Sequence, residues 1–213
     1  MREDARLNVE PGEMKIEERA ADDVLLGRAA RGDEDAFTTL YRRHQAPLFR
    51  FALRMTGSVW AAEEIVQDIF MTLVRQPRKY DAGRGALGPF LFGVARNHVL
   101  KHLERSPRDV SLDTEDSDSR PVAPAMQDSF TPAVWAEQRE RVKQVRNAVL
   151  DLPPDFREAV VLCELEEMSY EEAAQAVGCP IGTIRSRLHR AKALLLAKLE
   201  LLRDVPRRAN AAR

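Results

Sequence analysis

Apolar residues in the first half of the sequence recur at spacings of three and four, which is the period of an amphipathic helix. One stripe lies between Asp22 and Gly57, and a second lies between Gly57 and Pro77, with Pro47 as an expected kink or restart in the first. A third helix is predicted from about residue 90 to residue 105, after a glycine-containing loop at residues 78–89. The first two stripes consist of Phe37, Leu40, Tyr41, Leu48, Phe51 and Met55, and of Ile65, Val66, Ile69, Phe70, Leu73 and Val74.

The second half of the sequence carries signals for where helices begin and end. A helix is predicted at about residues 135–152, and the prolines at 153 and 154 suit the start of the next one. Ser169, with Glu172 three positions later, forms a capping box, and the helix that it opens ends at Gly178 before another begins near Pro180. A short helix, a turn and a longer helix predict a helix-turn-helix. Because no alternating strand pattern of useful length occurs, the predicted fold class is all-α.

A polar segment separates these two sets of helices. Residues 106–134 contain four prolines and six acidic residues against two arginines, a net charge of −4. Such a composition cannot offset the entropy of ordering and is typical of a flexible linker. The sequence therefore predicts two small helical domains. The division is a flexible tail at 1–21, a first domain at 22–105, an acidic linker at 106–134, a second domain at 135–203 and a tail at 204–213.

The 213-residue chain has 33 Lys and Arg against 34 Asp and Glu, but these charges are segregated. Residues 180–203 hold six basic residues and one acidic residue. The buried side of this last helix is predicted from Ile184, Leu188, Ala191 and Leu195, and the outward stripe from Arg185, Ser186, His189 and Arg190. Arginine can read guanine edges in a major groove, and Thr183 at the helix start can meet a phosphate. The pattern predicts DNA binding rather than a merely solvated face.

The first domain indicates two further partners. Glu63, Glu64, Gln67 and Asp68 gather on its second helix, where an acidic surface suits a basic protein partner. The loop and helix that follow interleave basic and aromatic residues, as a single-stranded nucleic acid requires for its backbone and its unstacked bases. Phe92 is nevertheless expected inside the core. The interleaved residues are Arg78, Lys79, Tyr80, Arg84, Phe90, Phe92, Arg96 and Lys101.

Other kinds of chemistry are not indicated. Cys163 and Cys179 form no paired motif, and His98 and His102 lack an obvious third ligand, so no metal site is predicted. No phosphate-binding loop or activated nucleophile is recognisable, so neither an enzyme nor a cofactor is expected. No apolar stretch approaches the roughly 20 residues of a membrane span, and the protein is expected to be cytoplasmic, without membrane insertion.

Four segments resemble the bacterial extracytoplasmic-function (ECF, group 4) sigma-70 factors. AEEIVQDIF at residues 62–70 is similar to their segment that binds core RNA polymerase, and FLFGVARN at 90–97 is similar to their promoter −10 segment. Residues 152–163 and 169–188, with PIGTIRSRLHRA at 180–191, resemble the domain that reads the −35 element. The resemblance implies a sigma2-like helical bundle followed by a sigma4-like helix-turn-helix.

The resemblance further implies a transcription initiation factor that recognises two promoter elements and promotes melting, commonly regulated by an anti-sigma partner. The implied contacts with core RNA polymerase are Glu63, Glu64, Gln67, Asp68 and Phe70. Those with the melted −10 element are Tyr80, Arg84, Phe90, Arg96, Asn97 and Lys101. Those with duplex −35 promoter DNA are Thr183, Arg185, Ser186, Arg187, His189 and Arg190.

Two alternatives remain open on the sequence. A stand-alone helix-turn-helix regulator would usually bind an inverted repeat as a dimer, but it would leave the acidic helix and the aromatic-basic loop without a function. A metal-dependent hydrolase would have to be built on His98 and His102.

Overall fold

The computed structural model describes the backbone of residues 21–105 and 132–210 and the side chains of residues 21–105 and 134–201. Within these ranges the regular elements are helical, which confirms the predicted fold class. Most of the predicted linker and tails lies outside the described residues. The helices are α1 (21–29), α2 (Glu34–Thr56), α3 (Val59–Arg75), α4 (Leu87–Arg105), α5 (Pro132–Leu150), α6 (Pro154–Val160), α7 (Tyr170–Val177) and α8 (Ile181–Asn210).

Shorter elements join some of these helices. Two 3-10 turns, Pro77–Lys79 and Ala82–Arg84, lie in the predicted glycine loop, and a π-helical segment, Val161–Leu165, continues α6. Helix α4 begins at Leu87, three positions before the expected start near residue 90. Among the described residues, none of the helices is long and apolar enough to cross a membrane.

The first half, α1 to α4, follows its apolar stripes closely. Asp33 and Ser58 cap α2 and α3 by accepting hydrogen bonds from backbone N–H groups three positions later, at 3.0 and 3.2 Å. The expected restart at Pro47 does not occur, since α2 continues through this residue while Leu48 behind it is buried. Tertiary packing of the apolar face thus outweighs the one backbone hydrogen bond that proline removes.

Two residues placed on the inward stripes are in fact exposed. Tyr41 is 38% exposed and Val74 is 49% exposed, although the other residues of the same stripes are buried, apart from the half-buried Phe37. Both line a surface groove that α2 and α3 leave open. Helical periodicity identified the apolar face correctly but could not show that part of it has no covering element.

The helix-turn-helix of the second half has the predicted ends. Ser169 accepts from the Glu172 N–H while the Glu172 carboxylate accepts from the Ser169 N–H, so the capping box is confirmed. Gly178 ends α7 in the left-handed conformation at φ 74°, which a side chain would disfavour. Ile184, Leu188 and Ala191 of α8 are buried, as the spacing predicts.

The two halves pack against each other in one apolar cluster. Phe92 and Val99 of α4 are buried in the same cluster as Val161, Ala173 and Ala176 from the second half. Phe92 also meets Phe51 edge-on, with ring centroids 5.5 Å apart, which confirms that it lies inside. The polar positions in the sequence gave no indication that these domains would share a core.

Arg157 of α6 is a buried polar residue that forms hydrogen bonds across this junction. Its guanidinium donates to the carbonyl oxygens of Met55, Leu150 and Leu152, the last at 3.1 Å. Met55 and Leu150 lie at the ends of α2 and α5, where carbonyl groups lack partners within the helix, and Leu152 lies just after α5. Burial lowers the pKa of Arg157, and Asp151 opposes that shift.

Replacing Arg157 by Met should lower the free energy of unfolding by about 2–4 kcal/mol, because it fills the space but leaves buried carbonyls without donors. Urea denaturation followed by circular dichroism measures the effect. The matched control, Arg139→Met, changes an exposed arginine of α5 and should leave the midpoint unchanged. Equal midpoints for the two variants would contradict the capping role.

Candidate protein and nucleic-acid interfaces

The outward stripe of α8 lies where the sequence predicts it. Arg185, Ser186, His189 and Arg190 are all exposed, whereas Thr183 is half-buried. The Ser186 hydroxyl donates to the Thr183 carbonyl at 3.0 Å. The second helix of the helix-turn-helix thus presents donors along a face that the rest of the domain leaves uncovered.

Arg185 has a neighbour that the sequence analysis missed. Its guanidinium carbon lies 5.5 Å from the ring centroid of Tyr170, the first residue of α7, in a cation–π contact. The ring restricts the arginine at the exposed surface and so reduces the entropy lost when that side chain binds a base. Tyr170 follows the capping serine directly, but its distance from Arg185 in the sequence concealed the pairing.

Arg187 differs from the other basic residues of α8. It forms an ion pair with Asp155 at 2.8 Å and lies 4.0 Å from the Glu158 carboxylate. Lys192 is similarly paired with Glu164 at 2.8 Å. A phosphate contact by Arg187 would therefore compete with acidic residues of its own domain.

A groove of about 1020 Å³ lies between α2 and α3. The buried ring of Phe70 forms part of its floor, with Tyr41 at 4.8 Å and Phe37 at 6.1 Å between ring centroids. Apolar side chains dominate the interior of the groove, while Glu34, Glu63 and other polar residues line its edge. We call it the acidic-edged groove.

The five residues expected to contact a polymerase do not all lie in this groove. Glu63, Gln67 and Phe70 line it, whereas Glu64 and Asp68 are exposed on the adjoining stripe of α3. Asp68 lies 3.4 Å from His98 Nδ1 on α4. The structure thus places these residues on one side of α3, in two neighbouring rows.

The aromatic residues expected at the −10 interface form a fixed pair. The rings of Tyr80 and Phe90 are 5.4 Å apart, both half-buried. The Tyr80 hydroxyl donates to the Gly85 carbonyl at 3.0 Å and to Asp23 of α1. The Tyr80 side chain therefore links the loop before α4 to a residue further along the same loop and to α1.

The basic residues of this region have different surroundings. Arg84, Asn97 and Lys101 are exposed, but Arg96 turns toward the second half of the molecule. There its guanidinium forms an ion pair with Glu158 of α6, whose side chain is only 3% exposed. Nothing in the sequence singles out Glu158, because its partner Arg96 lies far away along the chain.

The histidines contribute no apparent metal site. His98 faces Asp68, and among the described residues no group of three His, Cys, Asp or Glu side chains is placed to bind a metal ion. Cys163 is half-buried. Desolvation, and to a smaller extent the negative charge of the nearby Glu164, raises the pKa of its thiol to about 11.

Comparison with known families matches each half separately. Residues 40–108 match sigma-70 region 2, and residues 143–195 match sigma-70 region 4. The ECF RNA polymerase sigma-E factor of Haemophilus influenzae is 30% identical over 188 residues, which cover 87% of this chain and 98% of that protein. The RNA polymerase sigma-H factor of Pseudomonas aeruginosa is 30% identical over 187 residues, covering 86% and 96%.

Solved structures show the same relationship. CnrH, in complex with the cytosolic domain of CnrY, has a TM-score of 0.63 and 25% identity, covering 85% of this chain and 98% of CnrH. The Bartonella quintana sigma factor RpoE, in complex with the anti-sigma factor NepR, has a TM-score of 0.56 and 28% identity, covering 77% and 96%. The two region matches and the nearly full-length relatives favour a sigma factor over a stand-alone regulator. The chain belongs to the extracytoplasmic-function family of sigma-70 RNA polymerase sigma factors.

Proposed function

We propose that this sigma factor uses three separate surfaces to join core RNA polymerase to a promoter. The acidic-edged groove and the adjoining row of α3 bind the polymerase, α4 with its preceding loop binds the melted −10 strand, and α8 reads the duplex −35 element. The chain acts as an initiation factor in the cytoplasm, and the polymerase performs the catalysis.

The groove supports the first assignment through its shape and charge. An apolar floor with acidic residues at its edge suits an amphipathic helical segment that carries basic side chains. Glu63 and Asp68 lie in neighbouring rows of α3, so a coiled-coil partner could meet the acidic residues of both rows. Phe70 contributes by supporting the floor, since its ring is buried.

The region around α4 supports the second assignment. Single-stranded DNA requires cations along its path and aromatic faces for unstacked bases. Asn97 and Lys101 are exposed, and the Tyr80–Phe90 pair is fixed beside the start of the helix. Capture of an unstacked base there would offset the few kcal/mol that unpairing costs, so melting needs no nucleotide hydrolysis.

The exposed stripe of α8 supports the third assignment. Arg185 is the best placed residue for a bidentate guanine contact, because it is exposed and restricted by Tyr170. Ser186 and His189 lie beside it as further base-edge donors, and Arg190 follows on the same face. Arg187 contacts phosphate only if DNA displaces Asp155.

Regulation by an anti-sigma factor is part of this proposal. The two solved structures described above each contain a second protein: CnrH is bound to the CnrY cytosolic domain, and the sigma factor RpoE is bound to the anti-sigma factor NepR. A partner that occupied the acidic-edged groove would exclude polymerase directly. The acidic linker could, by its charge, occupy polymerase channels that accept nucleic acid.

One observation carries the proposal: an acidic-edged groove and an exposed basic recognition helix occur on the same chain. A DNA-binding regulator that does not bind polymerase requires only the recognition helix. In vitro transcription with purified core polymerase and a library of promoter fragments tests it directly. Promoter-dependent initiation that requires the chain is the expected result, and its absence with active core would refute the proposal.

Charge reversal in both rows of α3 should weaken polymerase capture. We expect Glu63→Lys and Asp68→Lys each to reduce the affinity for core by at least about tenfold, because like charges juxtaposed at an interface cost several kcal/mol. Fluorescence anisotropy of labelled sigma factor titrated with core measures this. Glu104→Lys, an exposed acid at the end of α4, is the matched control. If Glu63→Lys binds core polymerase with normal affinity, the groove is not part of the polymerase interface.

Substitution on α8 should separate base reading from phosphate contact. Arg185→Ala should cost about 1–3 kcal/mol at one −35 base pair and relax selection there. Arg187→Ala should instead weaken binding to all −35 sequences alike or leave that binding unchanged. Holoenzyme binding to a panel of single-base −35 variants measures both. A uniform loss for Arg185→Ala would reassign that residue to the phosphate backbone.

A further inference from the structure

Helix α1 contacts the loop before α4 through the side chain of Asp23. Its carboxylate accepts a hydrogen bond from the hydroxyl of Tyr80, which lies 57 positions later in the chain. The same hydroxyl lies 3.0 Å from the Gly85 carbonyl oxygen. A tyrosine hydroxyl has a single proton to share between these two acceptors, and bonds to an ionised carboxylate are the stronger kind. The carboxylate of Asp23 therefore takes the larger share of that proton.

The two bonds of the Tyr80 hydroxyl have different consequences for its ring. Gly85 belongs to the same loop, so a bond to its carbonyl moves with the loop. Asp23 lies on a separate helix, so its carboxylate fixes the hydroxyl relative to the helical bundle. The ring of Phe90 lies 5.4 Å from the Tyr80 ring and contacts it directly. The Tyr80 ring is thus held at its hydroxyl and along its side, although it is only half-buried.

Helix α1 is itself attached to α2 by contacts that do not involve Asp23. The buried carboxylate of Asp22 forms an ion pair with Arg43 and lies 2.8 Å from His44 Nε2. Leu26, one turn further along α1, is buried in the apolar cluster. Removal of the Asp23 carboxylate should therefore leave α1 in place and change only its link to the loop.

A carboxylate is an unexpected side chain beside a surface proposed for DNA. Its negative charge repels phosphates, so electrostatics alone predicts that loss of Asp23 strengthens promoter binding. A role in positioning Tyr80 predicts the opposite, because a ring that is already held in place loses less conformational entropy when a base stacks on it. The two roles thus differ in sign, and one substitution can distinguish them.

We propose that Asp23 is a positioning residue for capture of the unstacked −10 base, and that it acts through the hydroxyl of Tyr80. Contact between Tyr80 and the base rests on the proposed function, whereas the bond between Asp23 and Tyr80 is a contact of the structure. The −10 residues expected from the sequence all lie between positions 80 and 101. This assignment adds a residue of α1 to that site.

The experiment measures promoter opening by holoenzyme that contains the full chain and saturating core polymerase. A promoter selected from the fragment library carries 2-aminopurine in the melted region, and stopped-flow fluorescence gives the opening rate. Asp23→Ala should slow opening about three- to tenfold, as expected for loss of one charge-assisted hydrogen bond. Asp23→Asn keeps an acceptor oxygen without the charge and should open at least about half as fast as wild type. Asp35→Ala, which removes an exposed acid from α2, is the matched control and should open at the wild-type rate.

A second variant removes the same bond from its other side. Tyr80→Phe keeps the ring but loses the hydroxyl, so it should slow opening by a similar factor, and adding Asp23→Ala to it should cause little further loss. Tyr80→Phe decides the test if circular dichroism shows that Asp23→Ala has lost helix. Opening by a folded Asp23→Ala at the wild-type rate or faster would overturn the proposal. Opening by Asp23→Asn as slow as that by Asp23→Ala would overturn it as well, since the charge and not the bond would then matter.

Abasic promoters separate positioning from a merely structural role. Each non-template position of the −10 element is made abasic in turn, so that one promoter lacks the base that Tyr80 captures. On that promoter wild type and Asp23→Ala should open at equal rates, because no base remains to stack on the ring. Slow opening by Asp23→Ala on every abasic promoter would instead show a structural role and overturn the proposal.

Tyr80→Ala distinguishes this inference from the proposed function. If Tyr80→Ala opens the promoter at the wild-type rate, the assignment of Tyr80 to the melted strand in the proposed function fails. If Tyr80→Ala is slow while Asp23→Ala and Tyr80→Phe open normally, the inference about Asp23 fails alone.

Discussion

Two carboxylates buried between the halves of the molecule determine how those halves lie against each other. Glu158 and Glu166 each require a cationic partner once they leave water, and the arginines that satisfy them stand on α4 and α2. A buried ion pair adds little net stability compared with apolar contacts, but a misplaced one is strongly unfavourable. These ion pairs therefore contribute to the geometry of the junction more than to its stability, which the shared apolar cluster supplies.

The exposure and the pairing of charged side chains also distinguish the functional surfaces from the junction. Acidic side chains at the groove edge remain exposed, whereas those at the junction are covered by arginines. On α8 the exposed Arg185 and Arg190 have no acidic partner among the residues that the structure describes, while Arg187, turned toward the domain, is paired with Asp155. Exposure and pairing together separate surfaces suited to partners from those that maintain the fold.

Local signals explain what the sequence could predict. The capping box at Ser169 and the left-handed Gly178 depend on residues within one or two turns, so the helix-turn-helix was predictable nearly to the residue. The groove was not, because periodicity places Tyr41 on an apolar face without showing whether another helix covers it. The pairing of Arg96 with Glu158 joins residues far apart in the sequence, and each alone resembles an ordinary surface charge.

Gly93 illustrates what close packing at the junction requires of a helix. Glycine inside a helix is less favourable than alanine by about 1 kcal/mol, because its backbone loses more freedom on ordering. At this position a methyl group would crowd the neighbouring backbone, so the contact with α7 offsets a local weakness. A residue with a stronger helix preference at this position would gain in the helix itself and lose in the contact with α7, so the intrinsic preference of the isolated segment cannot decide which residue stands there.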